Sequence, residues 1–215
     1  MCCYLRMHQV LAGVMIPKGE IDWDHVFSKW QTATTVADRD ELLSTMELVP
    51  IDVYDLGKVD LSQFCGLIVS DRVDQDFLYQ ERDSIRKFLD AGKVVAFSGG
   101  LFREWLPGAQ PFVSCEDGAI TERALIVAQH PIFEGIKPED MGNNFAYGYH
   151  PAPEGVEVLI SHADGGAVVY VDRVSTGGVI LVHTGHSLLG YGASEGPGRW
   201  IVPQLLSWFW KEAQQ

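Results

Sequence analysis

The apolar positions of this chain change their spacing several times, and each change predicts an element. Val10 to Ile16 is a continuous apolar run broken by Pro17, Lys18 and Gly19, which predicts a strand. Trp23, Phe27 and Trp30 recur at helical spacing, so Asp22 to Thr32 predicts a helix with one aromatic face for the core. A second helix is expected over Val36 to Leu48, then a short strand at Ile51, Val53 and Tyr54. Gly66 to Ser70 and Lys93 to Phe97 are apolar without alternation, the pattern of strands buried on both faces in a parallel sheet. Between them Phe77, Ile85, Phe88 and Leu89 predict a helix over Asp76 to Ala91, stopped by Gly92. The chain then turns through Ser98-Gly99-Gly100 into a predicted helix, Leu101 to Leu106.

From Pro107 the texture becomes rich in Pro and Gly. Strands are predicted at Phe112 to Ser114, Ala124 to Ala128, Val156 to Ser161, Ala167 to Val171 and Val179 to Val182, with Gly177-Gly178 as a hairpin signal. Trp200 to Lys211 predicts a closing amphipathic helix. Alternating strands and helices in the first half indicate an α/β fold, a doubly wound and mostly parallel sheet with added β-hairpins in the C-terminal half. No repeat or linker divides the chain, so residues 1–215 are expected to form a single domain.

Composition narrows the partners. With 16 Lys plus Arg against 29 Asp plus Glu, the formal net charge is −13, and no basic run is present to displace counterions from a nucleic acid. No stretch approaches the roughly 20 apolar residues of a membrane helix, and the opening residues lack a secretory pattern. A cytoplasmic protein is therefore expected, with no nucleic-acid or membrane partner. The four cysteines, Cys2, Cys3, Cys65 and Cys115, show neither metal spacing nor a disulfide framework and read as inert thiols.

Chemistry concentrates after the buried strands. Ala96-Phe97-Ser98-Gly99-Gly100 follows the small-any-nucleophile-any-small pattern of a strand-to-helix elbow, with Ser98 as candidate nucleophile. Gly99 and Gly100 would let a ligand approach the backbone, and the following helix start would aim N–H groups at an oxyanion. The bland alternative is a glycine-rich turn at a sheet edge. His183 and His186 are the candidate bases: His183 continues the last apolar strand and His186 lies in the loop beyond. Neither has an acid two residues later, since Gly185 and Leu188 stand there, so an orienting carboxylate would come from elsewhere, such as Glu195 or Asp164. His150, His162, Asp164, His183 and His186 are scattered donors without a metal motif, and no GxGxxG pattern supports a dinucleotide, so no metal or cofactor is expected. Trp105, Tyr147, Tyr149 and Tyr191 are candidates for a cleft or a contact between copies of the chain.

Asp60-Leu61-Ser62-Gln63-Phe64 before the buried run, Phe88-Leu89-Asp90-Ala91-Gly92-Lys93, the Ser98 elbow, His130-Pro131-Ile132-Phe133-Glu134-Gly135-Ile136 and Gly185-His186 follow one another in a characteristic order. Together they resemble the class I glutamine-amidotransferase-like superfamily, most closely its trehalose-utilisation-type and uncharacterised branches. The resemblance spans roughly residues 10 to 210 and rests on the order of motifs that are individually weak. It implies a flavodoxin-like sheet with a nucleophile elbow after a central strand. Glutaminases of the superfamily carry Cys at the apex and a His followed two residues later by Glu. Here Ser98 takes the apex and that Glu is missing, so glutaminase activity is not expected. The implied function is a noncatalytic protein that binds a small polar ligand or a protein partner. The alternative is a serine hydrolase of small amides or peptides, because peptidase E-like relatives use serine. A metal-assisted enzyme of sugar metabolism is a third reading.

Overall fold

The computed structural model describes residues 10–15, 21–44, 48–115, 124–126, 128–142, 146–163 and 165–215. The Cys2-Cys3 pair, the Pro17-Lys18-Gly19 break and Asp164 lie outside them. Strand β1 (Val10–Met15) is followed by helices α1 (Trp23–Thr32) and α2 (Val36–Ser44) and strand β2 (Leu48–Asp52). Asp22 caps α1 by accepting the His25 N–H at 2.9 Å. Leu48, expected at the end of a helix, instead opens β2, and Val53 and Tyr54, expected in a strand, begin a 3-10 turn in which the Asp52 carboxylate accepts the Tyr54 N–H.

Strand β3 (Phe64–Val69) is buried along its whole length, as its unbroken apolar run predicts. The single helix expected over residues 76–91 is two, α3 (Gln75–Gln80) and α4 (Arg82–Asp90). The break is one residue wide. Glu81 sits at φ −91°, ψ 6°, yet its N–H still reaches the Phe77 carbonyl and its own carbonyl accepts from Ile85, so the apolar stripe carries across. Strand β4 (Val94–Ser98) follows. The helix expected at 101–106 does not form. The Gln75 side chain donates to the Gly100 carbonyl at 2.7 Å and accepts the Phe102 N–H at 2.9 Å, taking groups that a helix would use.

Short strands β5 (Val113–Ser114) and β7 (Gly148–Tyr149) pair with each other, while β6 (Ala124–Ile126), β8 (Glu157–His162), β9 (Ala167–Asp172) and β10 (Val179–His183) join the main sheet. Helix α5 (Ile201–Glu212) closes the chain. The sheet has eight strands in the order β2-β1-β3-β4-β10-β9-β8-β6.

The mixed α/β class is as expected, but the mostly parallel sheet is not. Only β3, β4 and β10 run parallel, giving two parallel pairings against five antiparallel ones. The expected hairpins account for part of this, because strands joined by short turns, β8 to β9 and β9 to β10, must run antiparallel. At the other edge β1 pairs antiparallel with both β2 and β3.

Alternation sends the side chains of β4 to two cores: Val94 and Ala96 to one face, Val95 and Phe97 to the other. On the first face α5 lies almost entirely buried, its Phe209 ring seated against Gly66 of β3, where a Cβ would overlap the ring. Trp30 of α1 packs into the same core. On the second face Ile85, Phe88 and Leu89 of α4 meet Phe97, whose ring touches Trp105 edge-on at 5.2 Å. Each such apolar side chain contributes roughly 1.5–3 kcal/mol by leaving water. The two layers fix the parallel trio, and its carboxyl ends are where the candidate residues gather.

Candidate functional site

Strands β4 and β10 run side by side in a register that sets His183 beside Ser98, and β3 pairs Val69 with Phe97. The loops that follow must therefore meet at one edge, the place where open α/β sheets hold ligands. Asp71 arrives from β3, Ser98-Gly99-Gly100 from β4, and His183 to Leu188 from β10.

Ser98 is the last residue of β4 and is 2% exposed. Its hydroxyl oxygen accepts the Leu188 N–H at 3.3 Å and lies 3.5 Å from Nδ1 of His183, whose ring is fully buried. The turn itself falls one residue later. Gly99 holds φ at +119°, a conformation that side chains avoid, and a Cβ there would stand 2.7 Å from the Asp71 Cα. Its N–H donates to the His183 carbonyl at 2.8 Å, and its carbonyl faces Nε2 of the buried His150 at 3.2 Å. The other ring nitrogen of His150 meets the Gln110 carbonyl at 2.9 Å, so this imidazole ties the turn to the following loop. Gly100 gives its carbonyl to Gln75. Among the described residues no acceptor takes the N–H of Gly100 or of Leu101.

The structure thus joins Ser98 to His183, and sends His186 elsewhere. Nδ1 of His186 stands 2.9 Å from Oδ2 of Asp71, while Oδ1 accepts the Ser187 N–H at 3.3 Å. A carboxylate only accepts, so the proton of this contact sits on Nδ1 and Nε2 is left for another partner. No hydrogen bond links His186 to Ser98. The Tyr147 ring packs edge-on against His186 at 4.9 Å, and its hydroxyl is buried without a hydrogen-bond partner, as is that of Thr184. Burial first, then the Asp71 charge, pushes the Tyr147 phenol up to about 12, so it remains a donor near neutral pH.

Beside this centre an open groove of about 510 Å³ is lined by Asp71, Arg72, Asp74, Gln75, Phe102 and Arg103, among others. Phe102 is 71% exposed at its lip. Both arginines already face carboxylates, Arg72 to Asp71 at 3.6 Å and Arg103 to Asp76 at 2.5 Å. Of the aromatic candidates, Tyr147 reaches the site, Tyr149 stacks on His162, and Trp105 and Tyr191 are core residues.

Asp71 is the residue that sequence reasoning missed. Glu195 lines a separate surface pocket, and the carboxylate that orients His186 comes from 115 positions upstream. Its signal was present: an acid just past the end of a fully buried strand. Among the described residues no three His, Cys, Asp or Glu side chains converge as a metal set. Cys65 lies in β3, where burial pushes its thiol up to about 11 and keeps it protonated at neutral pH. Among the described residues no helix is long and apolar enough to cross a membrane.

No family model and no curated protein matches this chain. Among solved structures it is similar to the exo-beta-1,4-mannosidase Op5Man5 from Opitutaceae bacterium strain TAV5, at 13% identity and a TM-score of 0.39. That match covers 73% of this chain and 25% of the mannosidase, so the chain spans about a quarter of its length. A likeness this slight carries no argument about fold or activity.

Proposed function

We propose that the chain is a glutamine-amidotransferase-like domain that holds a small polar ligand in the crevice over Ser98 and His186, with no covalent step on the protein. The parallel trio β3, β4 and β10 is the part that resembles a flavodoxin-like core. One observation carries the reading. The positive-φ residue of the elbow is Gly99, so the position that presents a nucleophile in such a turn has no side chain. Ser98 stands one residue too early, buried and already accepting a hydrogen bond.

A serine hydrolase is the second reading, favoured by the 3.5 Å approach of Ser98 Oγ to His183 Nδ1. A hydroxyl whose proton passes to an adjacent imidazole is an activated nucleophile. Incubation with a fluorophosphonate probe separates the two. The expected result is no labelling between pH 6 and 9, and labelling abolished by Ser98→Ala would overturn the noncovalent reading.

A further inference from the structure

We propose that Asp71 and His186 form a general base that directs a water molecule onto the acyl carbon of a small, uncharged or cationic ester or amide. The proposal rests on the crevice being the ligand site, and adds to it a reaction that needs no nucleophile from the protein.

Three observations meet here. The first is the pair itself. Asp71 spends both carboxylate oxygens on the loop after β10, one on His186 Nδ1 and one on the Ser187 N–H, which fixes the ring's tautomer and its direction. The His186 side chain remains 40% exposed, so Nε2 has access to water.

The second is the turn after β4. The peptide between Gly99 and Gly100 is trans and planar, so its carbonyl and its N–H point in opposite directions. His150 and Gln75 hold the carbonyls of Gly99 and Gly100, which turns the N–H groups of Gly100 and Leu101 away from those two partners. Both N–H groups lack an acceptor among the described residues. Successive free N–H groups in such a turn suit an oxyanion. The third observation is contiguity. Asp71 packs against Gly99, Gly99 bonds to His183, and Leu188 bonds to Ser98, so the loop that carries the base and the turn that leads into the donors are in direct contact.

Chemically, the water oxygen forms a bond to the acyl carbon while its proton passes to His186 Nε2. The carbonyl electron pair moves to oxygen, where the Gly100 and Leu101 N–H groups receive it. Collapse of the adduct breaks the bond to the alcohol or amine, which takes the proton back from Nε2. Water is consumed and a carboxylic acid is released, with nothing left on the chain. Asp71 is a positioning residue that also stabilises the imidazolium. The substrate charge follows from the groove, where Asp71, Asp74 and Asp76 face two arginines that are already paired.

The test uses p-nitrophenyl acetate as substrate and acetate as a product-like ligand. The intact chain is expected to hydrolyse the ester with saturation and without a burst. His186→Asn should lower kcat by about 100-fold or more, and Asp71→Asn should lower kcat while leaving KM nearly unchanged, the split expected of a residue that positions the base rather than the substrate. His25→Gln, on the exposed face of α1, leaves the rate unchanged. Acetate should shift the amide resonances of Gly100 and Leu101. If acetate shifts them but His186→Asn hydrolyses like the parent, the base is overturned and the ligand site stands. If neither shift nor saturable hydrolysis is seen, both fail. A burst with an acetylated protein also overturns the proposal.

Discussion

One buried and one half-buried imidazole, His150 and His130, give this molecule a pH response that can be signed from their surroundings. Burial holds His150 below the usual imidazole value of 6.5, with the Gln110 and Gly99 carbonyls opposing the shift, and burial does the same to His130. Both are therefore neutral in the fold at pH values where the unfolded chain already takes up protons. The unfolded state binds more protons below about 6.5, so stability is full above that value and declines as pH falls through the folded values. Urea midpoints measured between pH 7.5 and 5 should fall with pH, and His150→Gln should flatten the decline. A midpoint that stays level or rises on acidification would refute the assignment. At this scale the sequence exposed the residues that sit in motifs. Ser98, Gly99, Gly100, His183 and His186 all stand at the sheet edge where the strand pattern puts them. It did not expose Asp71, and it offered Tyr147 and His150 without their partners, because each acts on a residue 39 to 115 positions away. Such pairings exist only once the strands are ordered.

Elements were legible where one physical signal dominated. The fully apolar runs became β3 and β4, and the aromatic stripe became α1. The segment 101–106 misled because its composition suits a helix, while the Gln75 side chain, a tertiary partner, takes the backbone groups that would start one. Strand direction was illegible for a related reason, since burial on both faces does not say which way a neighbour runs. The contact of α5 with β3 makes a test at this scale. A Cβ at Gly66 would overlap the Phe209 ring and lie 3.0 Å from the Val94 carbonyl. Gly66→Ala should cost about 1–3 kcal/mol by overpacking. Adding Phe209→Leu should recover part of that loss, giving a coupling of roughly 0.5–3 kcal/mol in a double-mutant cycle read by urea denaturation. Strict additivity would mean that helix and strand do not meet through this pair.

For the molecule as a whole, the central strands tie two cores together. Val94 and Val95 are neighbours in the chain yet serve opposite faces, so neither core can open without disturbing β4. Trp30, Trp208 and Trp210 report on one face and Trp105 on the other. Their fluorescence and the far-UV circular dichroism should therefore fall in one coincident unfolding transition. Two separated midpoints would show that the faces unfold independently.

Gly99 imposes a choice on the chemistry of this crevice. Any side chain at that position must displace the backbone of Asp71, and Asp71 is the residue that holds His186. A nucleophile on the turn and a carboxylate-oriented imidazole beside it therefore compete for the same space. A variant of this chain that acquired cysteine at residue 99 would gain a thiol only by loosening its base. Holding both at once requires the β3 and β4 loops to change together.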